Sequence, residues 1–423
     1  MNTVLSGGRA IGEWCSRHAG WCLALSLALH VLSVSAFPPV TLDLRVYREA
    51  SPLVLSGGLY DYQLHTAPPI PLLPFTYPPF AALVFLPLSR LPWTVTVCLW
   101  QSASVAALLV MAGCASRLVP PTPMDTRGRS RVLLWSAAGL WLEPVRHTLD
   151  QGQVNLLLGA LILGGVTWLR TAAGRGIAVG VAAAVKLTPV VGGLYLLATR
   201  QWRAAAWTVT TVCGATALGW LIAPKESARY WSALVMDTQR IGLVWSVRNQ
   251  SLRGVLSRFL DHGPGSGMTW WTALTVVTVV ATLALWNAIR CGDRLGIMIA
   301  VELYGLVACP ISWSHHWVWC LPAMIWLAHG PQRQWLLSRV TLAAWVTATA
   351  TRLVPLLSRT EDTLPSGAPY PTPLAWLGSA YVLCAVLTFL TLGLRPVQAA
   401  GHEQAGFAAV RTRPSTDARH DRG

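Results

Sequence analysis

Long apolar stretches separated by short polar connectors run through almost the whole chain. The first covers residues 19–36, long enough to cross the apolar part of a bilayer as a helix. Further runs fall at 79–115, 132–142, 153–169, 177–199, 204–222, 270–289, 295–310, 317–330, 339–356 and 374–394. None alternates with the two-residue period of a membrane β-barrel, so the pattern predicts an all-α polytopic membrane protein. Two runs do not read as plain crossings. The stretch 79–115 is overlong and holds Pro87 and Pro92, and is expected to cross once as a long, tilted or Pro-kinked helix. The stretch 177–199 carries Lys186 at its middle, just before Leu187-Thr188-Pro189. A charge at the membrane centre costs roughly 2.5–3.5 kcal/mol even on a mild insertion scale. The run is therefore expected to go out and back as two half-helices meeting at that turn. The alternative is one continuous helix whose lysine snorkels to an interface. The count comes to about twelve transmembrane helical segments.

Composition agrees: 53% of residues are hydrophobic and only 12% charged, which excludes an ordinary soluble globule. The net charge of +15 raises the question of nucleic acid. The basic residues, however, crowd into the connectors 116–131, 170–175, 200–203, 290–294 and 333–339, where positive-inside topology accounts for them. No nucleic-acid partner is expected, and these connectors and both termini are placed in the cytoplasm. The first run, with Arg9 and Arg17 before it, reads as an uncleaved helix rather than a secretory signal. Residues 1–395 are read as a single integral membrane domain, and 396–423, polar and Arg-rich, as a disordered cytoplasmic tail. The nine cysteines form no C-x-x-C pair and read as small buried hydrophobes. No repeat of fixed period is visible, which counts against a secondary transporter.

With this sidedness the polar clusters fall together on the outer face: 37–78, 143–153, the Lys186 turn, 223–268, 311–316 and 357–373. Asp43 is the first carboxylate to emerge there, followed by Arg45, Tyr47 and Arg48. It is either a general base placed where a lipid-borne substrate arrives, or an interfacial acid paired with Arg45 or Arg48. The run from Glu143 to Asn155 packs two acids, Arg146, a histidine and three amides between apolar stretches. Arg146 has the planar fork that clamps phosphate, and Gln153 and Asn155 suit sugar hydroxyls; a capped polar helix connection is the other reading. Arg248-Asn249-Gln-Ser-Leu-Arg253 adds two cations beside an amide pair, and its formal N-x-S match is read as accidental. Ser312-Trp-Ser-His315-His316-Trp317 is the most unusual run. Adjacent histidines on a helix point about 100° apart and rarely share an ion, so no metal is expected. Donation from one imidazole to a phosphoryl oxygen fits better, with Trp317 stacked on sugar or part of an aromatic belt. Glu302, inside an apolar run, is expected to face the interior, and Glu361 and Asp362 to have little around them.

The segments Leu59-Tyr60, Pro74-Phe-Thr-Tyr77-Pro-Pro-Phe80, Glu143-Pro, Gly152-Gln-Val-Asn155, Val185-Lys-Leu-Thr-Pro189, Asn249-Gln-Ser and Pro310-Ile-Ser-Trp-Ser-His-His-Trp-Val-Trp319 resemble one family. It is that of the actinobacterial polyprenol-phosphate-mannose-dependent α-1,2-mannosyltransferases, integral membrane enzymes of glycosyltransferase superfamily C, family 87. The likeness runs from about residue 40 to 330 and is closest to members that extend phosphatidylinositol mannosides. It implies a multi-pass plasma-membrane enzyme with a periplasm-facing cavity. Mannose would pass from polyprenyl-phosphate-mannose to the 2-hydroxyl of a mannosyl acceptor with inversion. Asp43 occupies the position of the family's base, and His315 or His316, with Arg146, Lys186 and Arg253, would stabilise the departing phosphate. Arg45, Tyr47, Tyr77, Glu143, Gln153, Asn155, Asn249 and Trp317 are expected to complete the substrate-binding surface. No cofactor or metal is expected, only the lipid-linked donor, the glycolipid acceptor and membrane lipids, with the chain a monomer. A lipomannan or lipoarabinomannan acceptor is the alternative within the family. A lipid transporter or flippase and a scaffold subunit of a cell-envelope complex are the alternatives outside it.

Overall fold

The computed structural model describes residues 13–65, 72–119, 128–261, 265, 267–365 and 369–394. The tail at 396–423, Arg9 and the stretch 120–127 lie outside the described residues. Helix α1 (Ala19–Ala36) is apolar nearly all round, exposing Trp21, Leu25, Leu29 and Leu32 while Ser26 and His30 turn inward. Beyond Pro38-Pro39 the character changes. Helix α2 (Leu42–Ala50) is amphipathic, burying Leu44, Val46, Tyr47 and Ala50 and exposing Arg45 and Glu49. Helix α3 (Leu53–Ser56) follows, then a two-stranded antiparallel ribbon that pairs Gln63 with Pro74 and Leu64 with Leu73.

The stretch 79–115 departs from expectation. It is not one kinked crossing but helix α4 (Pro79–Phe85), a 3-10 turn over Leu86–Arg90, and a separate 26-residue helix α5 (Trp93–Leu118). Pro87 and Pro92 each lack the N–H needed to continue a helix, and Leu91 before Pro92 is extended. Helix α6 (Gly128–Gly139) leads to α7 (Glu143–Gln151) and α8 (Asn155–Trp168), which meet at 117°. Gly152 makes that corner with a left-handed φ of 68°. A Cβ there would lie 2.6 Å from Cβ of Leu44, so the corner presses directly on α2.

Helix α9 (Ala172–Val185) packs along α8 and, through Gly176, along α11 (Trp202–Ile222). A Cβ on Gly176 would stand 2.2 Å from the Ala204 carbonyl oxygen, a small-residue contact of the kind that joins helices in lipid. Helix α9 stops at Lys186, a 3-10 turn covers Thr188–Val191, and α10 (Gly192–Ala198) resumes. The apolar run therefore breaks where its lysine stands. Helices α12 (Pro224–Arg229), α13 (Leu252–Phe259) and α14 (Met268–Arg290) precede α15 (Arg294–Ala308), which is buried along most of its length. A 3-10 turn over Ser314–Trp319 then carries the twin histidines into α16 (Cys320–His329). Helices α17 (Leu336–Ala350), α18 (Leu353–Glu361), α19 (Thr372–Leu377) and α20 (Ala380–Gly393) complete the bundle. Among the described residues, α1, α5, α11 and α14 are long and apolar enough to cross a membrane. The count is six if the bent pairs α7–α8 and α17–α18 each act as one span.

Candidate active site

Hydrogen bonding sorts the carboxylates. Asp61 pairs with Arg229 at 2.7 Å and Asp362 with Arg248 at 2.8 Å. Glu49 accepts from the Tyr62 hydroxyl at 2.7 Å, Glu226 from the Gly58 amide at 2.8 Å, and Asp237 from the Gln239 amide at 3.1 Å. Glu361, expected to have little around it, is buried and accepts from the Ser246 hydroxyl, the Val247 amide and the Tyr370 hydroxyl. These acids brace loops. Asp43 stands apart, half-buried on α2 with Arg45 turned outward over the Trp93 ring, 5.4 Å from its centroid.

Burial raises the Asp43 carboxyl from 3.8 to about 6; a hydrogen bond with Gln153 and the charges of Lys186 and His147 pull the other way. The interfacial reading, an acid solvated beside Arg45 or Arg48, does not describe this environment. Gln153 in turn accepts from Tyr47 at 3.0 Å and Tyr77 at 3.1 Å, and the two phenols lie 2.8 Å apart. Stacking of Tyr47 on Phe85, centroids 4.3 Å apart, fixes the ring. Segments separated by about a hundred residues thus hold one carboxylate in place.

A second chain of contacts begins at the α9 break. The Lys186 ammonium donates to Asn155 Oδ1 at 2.8 Å and meets His316 Nε2 at 3.1 Å, lying 5.5 Å from the centre of the Tyr77 ring. An ammonium only donates, so His316 Nε2 is the acceptor and its Nδ1 carries the proton. The Asn155 amide and the Thr148 hydroxyl both donate to the His315 carbonyl, at 2.9 and 2.8 Å. The rings of His147, His315 and His316 follow one another edge to face, with centroids 4.9 and 4.7 Å apart. Burial first, then the neighbouring imidazoles and Lys186, hold His315 and His316 well below the ordinary histidine value, so both rings are neutral. A cavity of about 30 Å³ opens beside this group, lined by Asn155, Lys186, His316 and Glu302. Glu302 faces inward as expected, with Oε1 unpartnered.

His147 is the participant that the sequence reading left among the background polar residues. Its signal was helical spacing: it lies four residues after Glu143 and four before Gln151 on α7. The other expected site residues make their contacts within the frame. Glu143 is fully buried, accepting from Ser314 at 2.9 Å and Tyr381 at 2.5 Å. Arg146 turns to α1, with one guanidinium nitrogen 3.2 Å from His30 Nδ1 and the other donating to Ser33 at 3.0 Å. Asn249 is buried among backbone groups, donating to the Val244 carbonyl and accepting from the Ser312 amide, both at 2.9 Å. Trp317 is buried against Trp345 and Tyr381, which removes it from any belt or sugar-stacking surface. Arg253 donates to Thr238 at 3.1 Å in the loop that follows α12. Among the described residues no three histidine, cysteine or acidic side chains form a group able to hold a metal ion.

This geometry can be set beside known proteins. The model of glycosyltransferase family 87 matches residues 75–312. A polyprenol-phosphate-mannose-dependent α-(1-2)-phosphatidylinositol pentamannoside mannosyltransferase of Mycolicibacterium smegmatis is 41% identical over 359 residues, 83% of this chain and 84% of that protein. Its Mycobacterium tuberculosis counterpart is 40% identical over 357 residues, 83% of this chain and 80% of that protein. A phosphatidylinositol mannoside mannosyltransferase of M. tuberculosis with the same donor and linkage is 35% identical over 332 residues, 74% of this chain and 78% of that protein. No solved structure matches. With more than half the chain under the family model and such relatives along most of its length, the protein belongs to glycosyltransferase family 87.

Proposed function

We propose that the chain is an inverting α-1,2-mannosyltransferase of the plasma membrane. It takes mannose from polyprenyl-phosphate-mannose and places it on the 2-hydroxyl of a mannosyl residue in a phosphatidylinositol mannoside, in the step from tetra- to pentamannoside. The observation that carries this reading is the half-buried Asp43 carboxylate within electrostatic reach of Lys186, which itself contacts His316, two opposed functions supplied by three separate segments. Asp43 removes the acceptor proton as the acceptor oxygen bonds to the anomeric carbon. The bond from that carbon to the phosphate oxygen breaks, and its electron pair leaves with the polyprenyl phosphate. Lys186 and the Nδ1–H of His316 meet the growing charge on the phosphate. Gln153, Tyr47 and Tyr77 orient the base, and His147 and His315 hold the imidazole row. Lys186 and His316 belong to both the donor contact and the charge stabilisation, whereas Arg45 and Arg253 line the approach.

The reaction needs no cofactor, and the chain works as a monomer within one membrane domain of about twelve helical pieces, residues 1–395. Its active face is periplasmic, a placement supported by the arginine-rich connectors at the opposite end of α8, α9 and α15. The experiment is incubation of the purified protein with mannosyl-phosphoryl-polyprenol and tetramannosylated phosphatidylinositol. A product one hexose heavier with a new α-1,2 linkage is expected; unchanged acceptor would end the proposal. The second reading is a lipomannan or lipoarabinomannan acceptor; relatives at 35% and 32% identity are named for phosphatidylinositol mannoside without a stated mannose count. Lipomannan offered beside the tetramannoside separates the two.

A further inference from the structure

At the end of the bundle away from Asp43, a cavity of about 910 Å³ is lined by Arg117, Arg170, Arg175, Arg200 and Arg294. Helix α8 starts at Asn155 in the candidate active site and ends at Trp168 in this cavity. Its fourteen residues put the two about 20 Å apart along the helix. Helix α9 makes the return journey from Arg175 to Val185, and α15 begins at Arg294 and reaches Glu302 near the site. The cavity is therefore separate from the transfer chemistry.

Its chemistry differs as well. Among the described residues no carboxylate forms an ion pair with any of the five arginines. Arg175 spends its guanidinium on the frame, donating to the Leu169 carbonyl at 2.9 Å, the Arg170 carbonyl at 3.0 Å and Gln201 at 2.5 Å. Arg117, which lies 5.8 Å from the centre of the Trp168 ring, and Arg170, Arg200 and Arg294 keep exposed side chains around the mouth. Like charges gathered without counterions repel, and a bound anion relieves that cost. The planar forks suit a phosphate, which they can grip through paired N–H groups.

The rim argues for a phosphate that brings hydrocarbon with it. Trp168, Leu169 and Ile289 line the cavity and are 45%, 44% and 39% exposed. Ile289 lies one residue from the end of α14, itself long and apolar enough to cross a bilayer. The mouth thus lies where a membrane-spanning helix ends, at the depth of headgroups, with apolar side chains beside it. The volume falls within the range that accommodates a ligand of several hundred Å³.

We propose that this arginine cavity binds the phosphate headgroup of an anionic phospholipid from the leaflet opposite the active site, with the acyl chains against Trp168 and Leu169. The lipid is neither donor nor acceptor in the transfer. It holds together the ends of α8, α10, α14 and α15, which otherwise meet through repelling cations. The full chain in a neutral detergent tests this by binding of phosphatidylglycerol, with phosphatidylcholine and inorganic phosphate as the other arms. Phosphatidylglycerol is expected to bind in strong preference to phosphatidylcholine, and millimolar inorganic phosphate to leave it bound. Combining Arg117→Gln, Arg200→Gln and Arg294→Gln is expected to weaken phosphatidylglycerol binding on the order of tenfold or more. The matching three Arg→Lys changes keep the charge and retain most of the affinity, which guards against reading misfolding as lost binding. Arg203→Gln, on the same connector as Arg200 but outside the cavity lining, and Lys186→Met at the other end, are expected to leave it unchanged. Equal binding of the two lipids, an unaffected triple Gln variant, or full displacement by inorganic phosphate overturns the proposal.

Discussion

The two ends of the bundle handle charge in opposite ways. At one end the Asp43 carboxyl, the Lys186 ammonium and the neutral His315 and His316 rings lie in one neighbourhood, with the carboxyl pushed up by burial and held back by Gln153 and Lys186. At the other end five guanidiniums surround a far larger cavity without an acid among them. Moving a proton requires opposed groups, partly desolvated, whose affinities are adjusted against one another. Holding an anion requires uncompensated positive charge and accessible donors. Helices α8, α9 and α15 run between the two ends and contribute to both, with Asn155, Lys186 and Glu302 at one and Trp168, Arg175 and Arg294 at the other, so side-chain choice along them helps decide the chemistry.

The sharpest way to break this comparison is to place its ends. Single cysteines at Arg45 and at Arg203, in a chain whose native cysteines are replaced, are expected to differ all-or-none towards an impermeant thiol reagent on intact cells. The first is labelled directly, the second only after the membrane is opened. Equal labelling would merge the two ends onto one face and remove the separation between them.

The largest effect on turnover is expected from Asp43→Asn, a loss of about 10³-fold, because the amide cannot accept the acceptor proton. Thermal stability should be equal or higher at neutral pH. The folded-state value of about 6 lies above the ordinary 3.8, so the folded protein holds a proton that the unfolded chain releases. Stability therefore falls as pH rises across that interval, and the Asn side chain has no such cost. A variant that lost both activity and stability would make Asp43 a structural residue. Lys186→Met is expected to lower turnover by about 10²-fold, the usual consequence of removing one preorganised charge-stabilising donor. Unchanged turnover would separate the lysine from the phosphate.

How far the site could be read beforehand divides along the same physical line. Asp43 and Lys186 stood out because a charge beside or within an apolar run is costly and calls for a reason. The break at Lys186 followed from that cost together with the sidedness of the basic connectors. Glu143, Asn249 and Trp317 looked equally functional, yet their partners come from far away in the chain: Tyr381 lies 238 residues beyond Glu143. Whether a polar group has all its hydrogen bonds made is a property of the folded neighbourhood, and a single sequence does not display it. His147 was passed over for the converse reason, since its ring acquires meaning only when His315 arrives beside it. The form of the stretch 79–115 was missed for a local reason, since Pro87 and Pro92 act between two helices rather than inside one.

The pH profile sharpens the acidic end. With the base value near 6 in the substrate-free enzyme, kcat/KM is expected to be half-maximal at about pH 6 and to fall roughly tenfold for each unit below it. The direction follows from the role: Asp43 must be unprotonated to accept a proton, so activity rises with pH. A midpoint near 4 would mean that the carboxyl is fully hydrated when substrate is absent. Replacement of Gln153 by Leu removes a hydrogen bond that lowers the value, and is expected to move the midpoint upward.

The smallest effect expected is also the one that best separates a residue's type from its placement. Arg146 has the fork, the charge and the neighbours of a phosphate clamp, but its guanidinium contacts His30 and the Ser33 hydroxyl on α1 and rests 5.2 Å from the Trp141 ring centre. It ties the first helix to α7, the helix that also carries His147. Arg146→Gln should therefore cost about 1 kcal/mol of stability, the scale of a pair of part-buried hydrogen bonds with one lost cation–π contact. Turnover at saturating donor should change by no more than about threefold, because neither the base nor the Lys186–His316 pair loses a partner. A loss of a hundredfold at unchanged stability would instead bring Arg146 into contact with the departing phosphate. That result would mean α1 moves away when the donor binds, freeing the guanidinium, and the balance of charge at the acidic end would then include a second cation.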